Sequence, residues 1–559
     1  MKEKIMILEK LKKMSVVLLA VAFSVVMAAC PGDGPAGIVD DPEGPTGPEG
    51  PTGPVGPTVI PTEDYGTTLS WGTVYTPATL GLTPGNDNTE IRLNWYSTGN
   101  PAGKSAEVRF IEGTKAAGID LIEKTGDVGN ASAGNTFHKV AVTGLKRGAS
   151  YQYSVSNDGD NWSPMYDFKV PAASGAWKFA VIADPQLTTA QNDPDSRNPR
   201  ETTAAGWLRT MTKIAAANVS FIASCGDQVD VTNAGNETEY TNFFAPPGMR
   251  NLPLSPTLGN HDRHDPFSFH YNMPNEQTFA GVDPTNATWA NYYYLYNNIL
   301  FVVLNTSFYP TSKTQAEPYI TYFAQTLTNA KTAHAGKYDW LIVQHHKSTA
   351  SVADHAADRD IQYYVEAGFE TLMSEHNVDF VLAGHDHVYA RSYPLSGRKD
   401  GKVSVPNKTI GTNVNTNNAS YNNPGAPIYL TYTTASGLKY YAVSSDTTYD
   451  YKITLYVRDG VGDGANATYP YLGDVTDADG TSSTYYGSTA YITQKLLPVS
   501  NAAYVQPYIP SYCVVDVSGK TITFKTYATH TLNGIGTHAG ATAWSFNENT
   551  PYDTLTVTK

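Results

Sequence analysis

The chain has 559 residues, too many for one compact domain, and a formal net charge of −14. Its leading segment carries five lysines against two glutamates, so the remainder stands near −17. That balance argues against nucleic-acid binding, and three cysteines rule out dependence on a disulfide framework at this size.

Lys2, Lys4, Lys10, Lys12 and Lys13 precede an apolar run from Val16 to Val26, and small residues follow. Basic, apolar, then small is the order of a secretory leader, so residues 1–29 are expected to be a signal peptide. The stretch "MAAC" resembles a bacterial lipobox, with Met27 in place of the usual leucine. The resemblance implies cleavage before Cys30, lipidation of that cysteine and an exported protein anchored to the cell envelope. Simple secretion and a retained anchor are the alternatives. Past the leader, no run of about 20 apolar residues could span a bilayer.

Residues 30–66 include "EGPTGPEGPTGPVGPT", with glycine at every third position from Gly44 to Gly56. Collagen has that period, but the run is short, and a stiff Pro/Gly tether is the expected reading. Residues 67–172 read as short alternating strands: "EIRLNWYS", "SAEVRFIEG", "HKVAVTGL" and "SYQYSVSND". The "GLKRGASYQY" stretch resembles the end of a fibronectin type III-like sandwich. An all-β module without chemistry of its own is expected, serving packing or the rim of a site.

From residue 173 to 559 the pattern becomes apolar strands separated by helical stretches, an α/β layered domain. "TAAGWLRTMTKIAAAN" puts Trp207, Leu208, Met211 and Ile214 on one helical face. "YITYFAQTL" does so with Ile320, Phe323 and Leu327, and "DIQYYVEAGFETLM" with Ile361, Val365, Phe369 and Leu372. Polar stretches at about 396–424 and 444–505 read as surface insertions, and the alternating C-terminal segments are expected to complete the core. Cys225 ends an apolar run and is expected to be a buried small residue.

Five apolar runs end in metal-ligand residue types. "FAVIA" leads to Asp184-Pro185-Gln186, "VSFIASC" to Gly226-Asp227, and "LPLSPTL" to Gly259-Asn260-His261-Asp262. "DWLIVQ" leads to His345-His346, and "VDFVLA" to Gly384-His385-Asp386-His387. Ligand sites of open α/β sheets collect beyond the carboxyl ends of the strands. Asp184/Gln186 and His385/His387 are spaced by two, so in an extended segment each pair points one way. Gly226, Gly259 and Gly384 are expected to let the backbone turn before each donor. A lone "GD" or "NH" is usually a turn; five strand ends in this order, with "GNHD" and "GHDH", point to a metal site.

The order resembles the calcineurin-like metallophosphoesterases, and the preceding sandwich resembles the purple acid phosphatases. The resemblance spans about residues 68–559 outside the insertions. It implies two divalent or mixed-valence metal ions, Fe, Zn or Mn, bridged by Asp227. One is also bound by Asp184 and His387, the other by Asn260, His346 and His385. His345 competes with His346; the spacing from Trp340 favours His346. Two cations would clamp a phosphate ester and create a bridging hydroxide that attacks phosphorus in line. Asn260, His261 and His355 are then expected to contact substrate, with His261 and His355 as catalytic groups and Asp262 orienting His261.

The chain departs from that pattern twice. Asp230 stands where purple acid phosphatases have an iron-binding tyrosine, and Gln186 stands where most relatives have histidine. Gln186 is expected to complete the first metal site through its oxygen, with Asp230 as the rival. The expected activity is phosphate-ester hydrolysis, phosphomonoesters favoured. A phosphodiesterase or nucleotidase on the same core, and a non-catalytic surface binding protein, are the alternatives.

Overall fold

The computed structural model describes residues 76–559 except 114–120, 189–201, 231–235, 278–288, 354, 356–357, 400–401, 404–417, 442–470, 477–481, 487–500 and 532–545. The expected leader, Cys30 and the Pro/Gly tether lie outside the described residues.

Strict alternation builds the first module. In Asn135–Thr143, Thr136, His138, Val140 and Val142 are buried and their neighbours are not, the period of two that one buried sheet face requires. Eight strands form two antiparallel sheets. One runs β1 (Ala78–Pro84), β2 (Glu90–Thr98), β6 (Asn135–Thr143), β5 (Asp127–Asn130). The other runs β4 (Leu121–Thr125), β3 (Glu107–Glu112), β7 (Ser150–Ser156), β8 (Tyr166–Lys169). Leu93, Trp95, Val108, Phe110, Tyr153 and Val155 fill the space between them.

Two seven-stranded sheets make the second domain. In the first, β9 (Trp177–Ile182), β10 (Ile222–Ser224) and β11 (Leu254–Ser255) are parallel neighbours. The chain's end extends this sheet through β24 (Ser511–Ser518), β25 (Thr521–Ala528) and β26 (Asp553–Thr558). In the second sheet, β13 (Ile299–Val303), β14 (Trp340–Lys347), β15 (Phe380–Gly384) and β20 (Ile428–Thr431) are parallel. Antiparallel β12 (Tyr292–Tyr296) flanks one side, and β16 (Tyr389–Pro394) the other. The two sheets share one core, in which Phe179 meets Phe301 edge-on at 5.5 Å and Phe380 lies 4.7 Å from Phe524. Strands covered on both faces read as continuous apolar runs, and every residue of β14 is buried.

Three expectations change. Leu208 does not share the buried face of helix Thr203–Ala216: it is 48 % exposed while Trp207, Met211 and Ile214 are buried. The "DIQYYVEAGFETLM" stretch is two helices, Arg359–Glu366 and Phe369–Glu375, because Gly368 between them takes a φ of 102°. Both polar stretches end in sheet strands. Asn418–Asn422 pairs with β26, and Asn501–Val505 pairs with β16 and is mostly buried. Sheet edges tolerate polar composition, so hydrogen-bond pairing prevails there over sequence character. Cys225 is buried as expected, and Cys513 is buried too.

Candidate metal centre

The carboxyl ends of β9, β10 and β11 in one sheet meet those of β14 and β15 in the other, and the predicted donors gather at that seam. Asp184, Gln186, Asp227, His346, His385 and His387 are all buried. The spacing of two does not work through an extended pleat. Asp184 (φ 46°), Gln186 (39°), Asp227 (49°), His385 (72°) and His387 (43°) are all left-handed, each at a cost of about 1 kcal/mol or more. The turns are held by ladders between loops: Asp184 N–H donates to Gly226 O at 3.1 Å and Gln186 N–H to Asp227 O at 2.8 Å.

The glycines serve partly as expected. Gly226 turns with φ 103°, but Gly259 and Gly384 have no such φ. A Cβ on Gly384 would collide with Asp184 Oδ2, and one on Gly259 with Asp227 Oδ1. They are glycines because a carboxylate occupies the place of a side chain.

Two overlapping donor sets result. In the first, His387 Nδ1–H donates to Lys439 O at 2.8 Å, which fixes the tautomer and leaves Nε2 facing Asp184 Oδ1 at 3.4 Å. Asp184 accepts the His385 N–H on both oxygens, at 3.1 and 3.0 Å. Gln186 Nε2 donates to Asp230 Oδ1 at 3.2 Å, and Gln186 Oε1 is buried with no hydrogen-bond partner.

In the second set, His346 Nδ1–H donates to Cys225 O at 2.9 Å. Its Nε2 lies 2.9 Å from Asn260 Oδ1 and 3.2 Å from Asp227 Oδ2. Donor atoms of Asp227, His346 and His385 lie within 4.8 Å of one another, and His385 Nε2 is buried without a hydrogen-bond partner. Burial opposes a charge on His346, but Asp227 outweighs it and pushes the ring up to about 9. Burial would raise Asp227; the His346 ring and the His261 N–H, 2.8 Å from Oδ1, instead hold it below the usual carboxylate range. A field that holds a proton between these groups also favours a cation there.

His345 is turned away by strand alternation. Its Nδ1 is 3.5 Å from Thr306 Oγ1, its ring packs 4.9 Å from Phe369, and burial together with His346 lowers it to about 3.

Asp262 does not orient His261. Its Oδ2 accepts from Gly259 N–H at 2.9 Å, and its Oδ1 from Gln228 N–H at 3.0 Å and Tyr240 O–H at 3.4 Å. Burial and the charge of Asp227 push it up to about 8, against those donors. It therefore joins the Asp227 and Asn260 loops. The His261 ring is held by Asp230, whose backbone carbonyl accepts from Nδ1–H at 2.5 Å. A main-chain acceptor leaves no mark in a sequence.

His355 stacks on His385 at 4.1 Å, and its Nδ1–H donates to Asp358 Oδ2 at 2.7 Å. Its backbone N–H donates to Asp386 Oδ1 at 2.8 Å, and Asp386 Oδ2 takes Ala353 N–H at 2.9 Å. Neither Asp358 nor Asp386 was assigned from the sequence. The signals were a carboxylate three residues after His355 and one between the two donor histidines.

Comparison with known proteins agrees with this architecture. Residues 178–389 match the calcineurin-like phosphoesterase family, and residues 77–170 match the purple acid phosphatase N-terminal domain. Two uncharacterized proteins of Mycobacterium tuberculosis, from strains CDC 1551 / Oshkosh and ATCC 25618 / H37Rv, are each 22 % identical over 376 residues. The match covers 57 % of this chain and 63 % of each relative, under two thirds of their length. Purple acid phosphatase from yellow lupin (Lupinus luteus) seeds shares the fold, with a TM-score of 0.54 at 12 % identity, over 86 % of this chain and 74 % of that one. The chain thus carries a calcineurin-like phosphoesterase domain preceded by a purple acid phosphatase N-terminal domain.

Proposed function

We propose that this calcineurin-like phosphoesterase domain hydrolyses phosphate esters, phosphomonoesters foremost, at a centre of two divalent cations. The observation that carries the reading is the pair of orphaned buried atoms, Gln186 Oε1 and His385 Nε2, set among Asp184, Asp227, Asn260, His346 and His387. Buried polar atoms are normally bonded, and donors without partners beside two buried carboxylates fit cations. Asp184, Gln186, Asp227 and His387 would hold one; Asp227, Asn260, His346 and His385 the other. Bound there, the pair would supply a hydroxide near neutral pH and offset phosphoryl charge.

The chain's own groups do the rest. His261, fixed through Nδ1, has Nε2 to meet a phosphoryl oxygen. His355 is oriented by the bond from its Nδ1–H to Asp358, and in its protonated form its Nε2–H passes to the departing alkoxide as the P–O bond breaks. No phenolate is supplied at Asp230, so oxygen and imidazole donors suit Mn, Fe(II) or Mg in the first site. Zn remains suited to the second, with its two histidines.

Diesters and nucleotides are the second reading on the same core. A binding protein with a decayed site is disfavoured by the full set of donors, all buried except the half-buried Asn260. The leader and "MAAC" support export and a lipid anchor at Cys30; Cys30→Ser protein released from membranes supports it, and protein wholly retained there contradicts it. The activity is tested by metal-dependent hydrolysis of phosphomonoesters, diesters and nucleotides. Turnover that chelation abolishes supports the proposal; no turnover with any class and any of these metals contradicts it.

A further inference from the structure

Tyr309 is 63 % exposed, and among the described residues the other exposed large apolar side chain, Leu208, is 48 % exposed. An exposed aromatic alone says little. Here the loop that presents it is tied to the strand ends that carry the donors. Thr306 Oγ1 accepts from the N–H groups of His346 at 3.3 Å and Lys347 at 3.0 Å. Ser307 Oγ donates to Leu258 O at 2.7 Å, two residues before Asn260. Phe308 is buried 4.8 Å from the Tyr364 ring, and its carbonyl accepts the Tyr364 O–H at 3.0 Å.

Lys347 backs the Tyr309 ring. Its Nζ lies 3.3 Å from the ring centroid, while the side chain is buried and paired with Asp360. Burial and then the carboxylates of Asp227, Asp360 and Asp358 push the phenol up to about 12. The ring is therefore held at the rim by a cation on one face while most of it stays exposed.

We infer that Tyr309 is a specificity-determining residue whose open face stacks on a planar aromatic group carried by the ester, so that ring-bearing phosphate esters are preferred to alkyl ones. The inference rests on the phosphoesterase reading above. A tyrosine on a fixed loop loses little freedom when a ring stacks on it, and offset stacking is favourable beyond the area buried. The ammonium behind the ring draws π density toward itself, which lowers the repulsion between the open face and the face of an incoming ring. The contact is made in the bound ester and the transition state alike, so its effect belongs in KM.

The test compares kcat/KM of wild type, Tyr309→Ala and Tyr309→Phe for 4-nitrophenyl phosphate, adenosine 5′-monophosphate and glycerol 1-phosphate. Ratios of variant to wild type cancel the intrinsic reactivity of each ester. Tyr309→Ala is expected to lower the value for ring-bearing esters about three- to tenfold, through KM, with glycerol phosphate unchanged. Tyr309→Phe should restore it. Loss on the nitrophenyl ester alone places the stacked ring on the ester oxygen; loss on the nucleotide alone assigns the platform to a base. An equal fall on all three esters, or none, overturns the inference. Binding of phenylphosphonate against methylphosphonate to Mn-loaded protein, read by calorimetry, separates this from the activity. Selective loss of phenylphosphonate in Tyr309→Ala upholds the platform even if no ester is turned over, whereas equal affinities in wild type overturn it.

Discussion

Gln186 Nε2 donates to Asp230 Oδ1 at 3.2 Å, and Gln186 Oε1 is left buried and unpartnered. On the proposed reading, Asp230 orients the Gln186 amide and the glutamine oxygen is the metal donor. Gln186→Ala is expected to weaken the first cation by about tenfold, and Gln186→His to tighten it, because imidazole is the stronger donor. Asp230→Asn keeps an accepting oxygen and should change metal content little. Competition with a chromogenic chelator reads all three. A site stripped by Asp230→Asn and untouched by Gln186→Ala would make the carboxylate the ligand.

On the proposed function, His355, with Asp358 bonded to its Nδ1–H, serves the chemical step. Substituting His355 with Ala should lower kcat by about a hundredfold while both cations stay bound. Asp358→Asn should cost less, since an amide oxygen still accepts from Nδ1–H. Elemental analysis beside the kinetics checks this; an emptied site with normal turnover would reverse the assignment.

The donors' residue types were legible because each follows an apolar run and the runs end at one seam. The geometry that joins them was not. Asp184 and Gln186 look like an extended i, i+2 pair in sequence, yet both are left-handed. His261 is held by a backbone carbonyl, and Asp262, its sequence neighbour, joins two loops. Gly368 divides a continuous helical pattern because a positive φ ends a helix whatever the periodicity around it. Local pattern reports which face is apolar; it carries no information on contacts made by main chain across 30 or more residues.

Gly384→Ala tests the crowding around Asp184. The added Cβ would collide with Asp184 Oδ2 and lie 2.8 Å from the Ala183 Cβ. The first cation should be lost with the far-ultraviolet circular dichroism spectrum intact. Full metal content in that variant would mean that Asp184 has room to move.

His138 gives the sandwich an acid limit. Burial lowers it to about 4 from an unfolded value of 6.5, while its Nδ1 bonds Ser105 O at 2.8 Å. The folded value is the lower one, so the unfolded state binds the extra proton and stability falls as pH drops from 6.5 through 4. The loss is on the order of 3 kcal/mol. His138→Gln should flatten this part of the pH dependence of denaturant unfolding; an unchanged slope would assign acid sensitivity to other groups.

Asp227 is the residue that the two proposed cations share: its Oδ2 lies 3.2 Å from His346 Nε2 while Oδ1 takes the His261 N–H. Asp227→Asn keeps the shape and removes the charge between the two donor sets. The deciding measurement is metal stoichiometry per chain in wild type and Asp227→Asn, taken on the same samples as phosphate-ester hydrolysis. Two cations per chain are expected in wild type, with both bound metal and hydrolysis lost in the variant. Wild-type turnover by Asp227→Asn with a single cation per chain would contradict it.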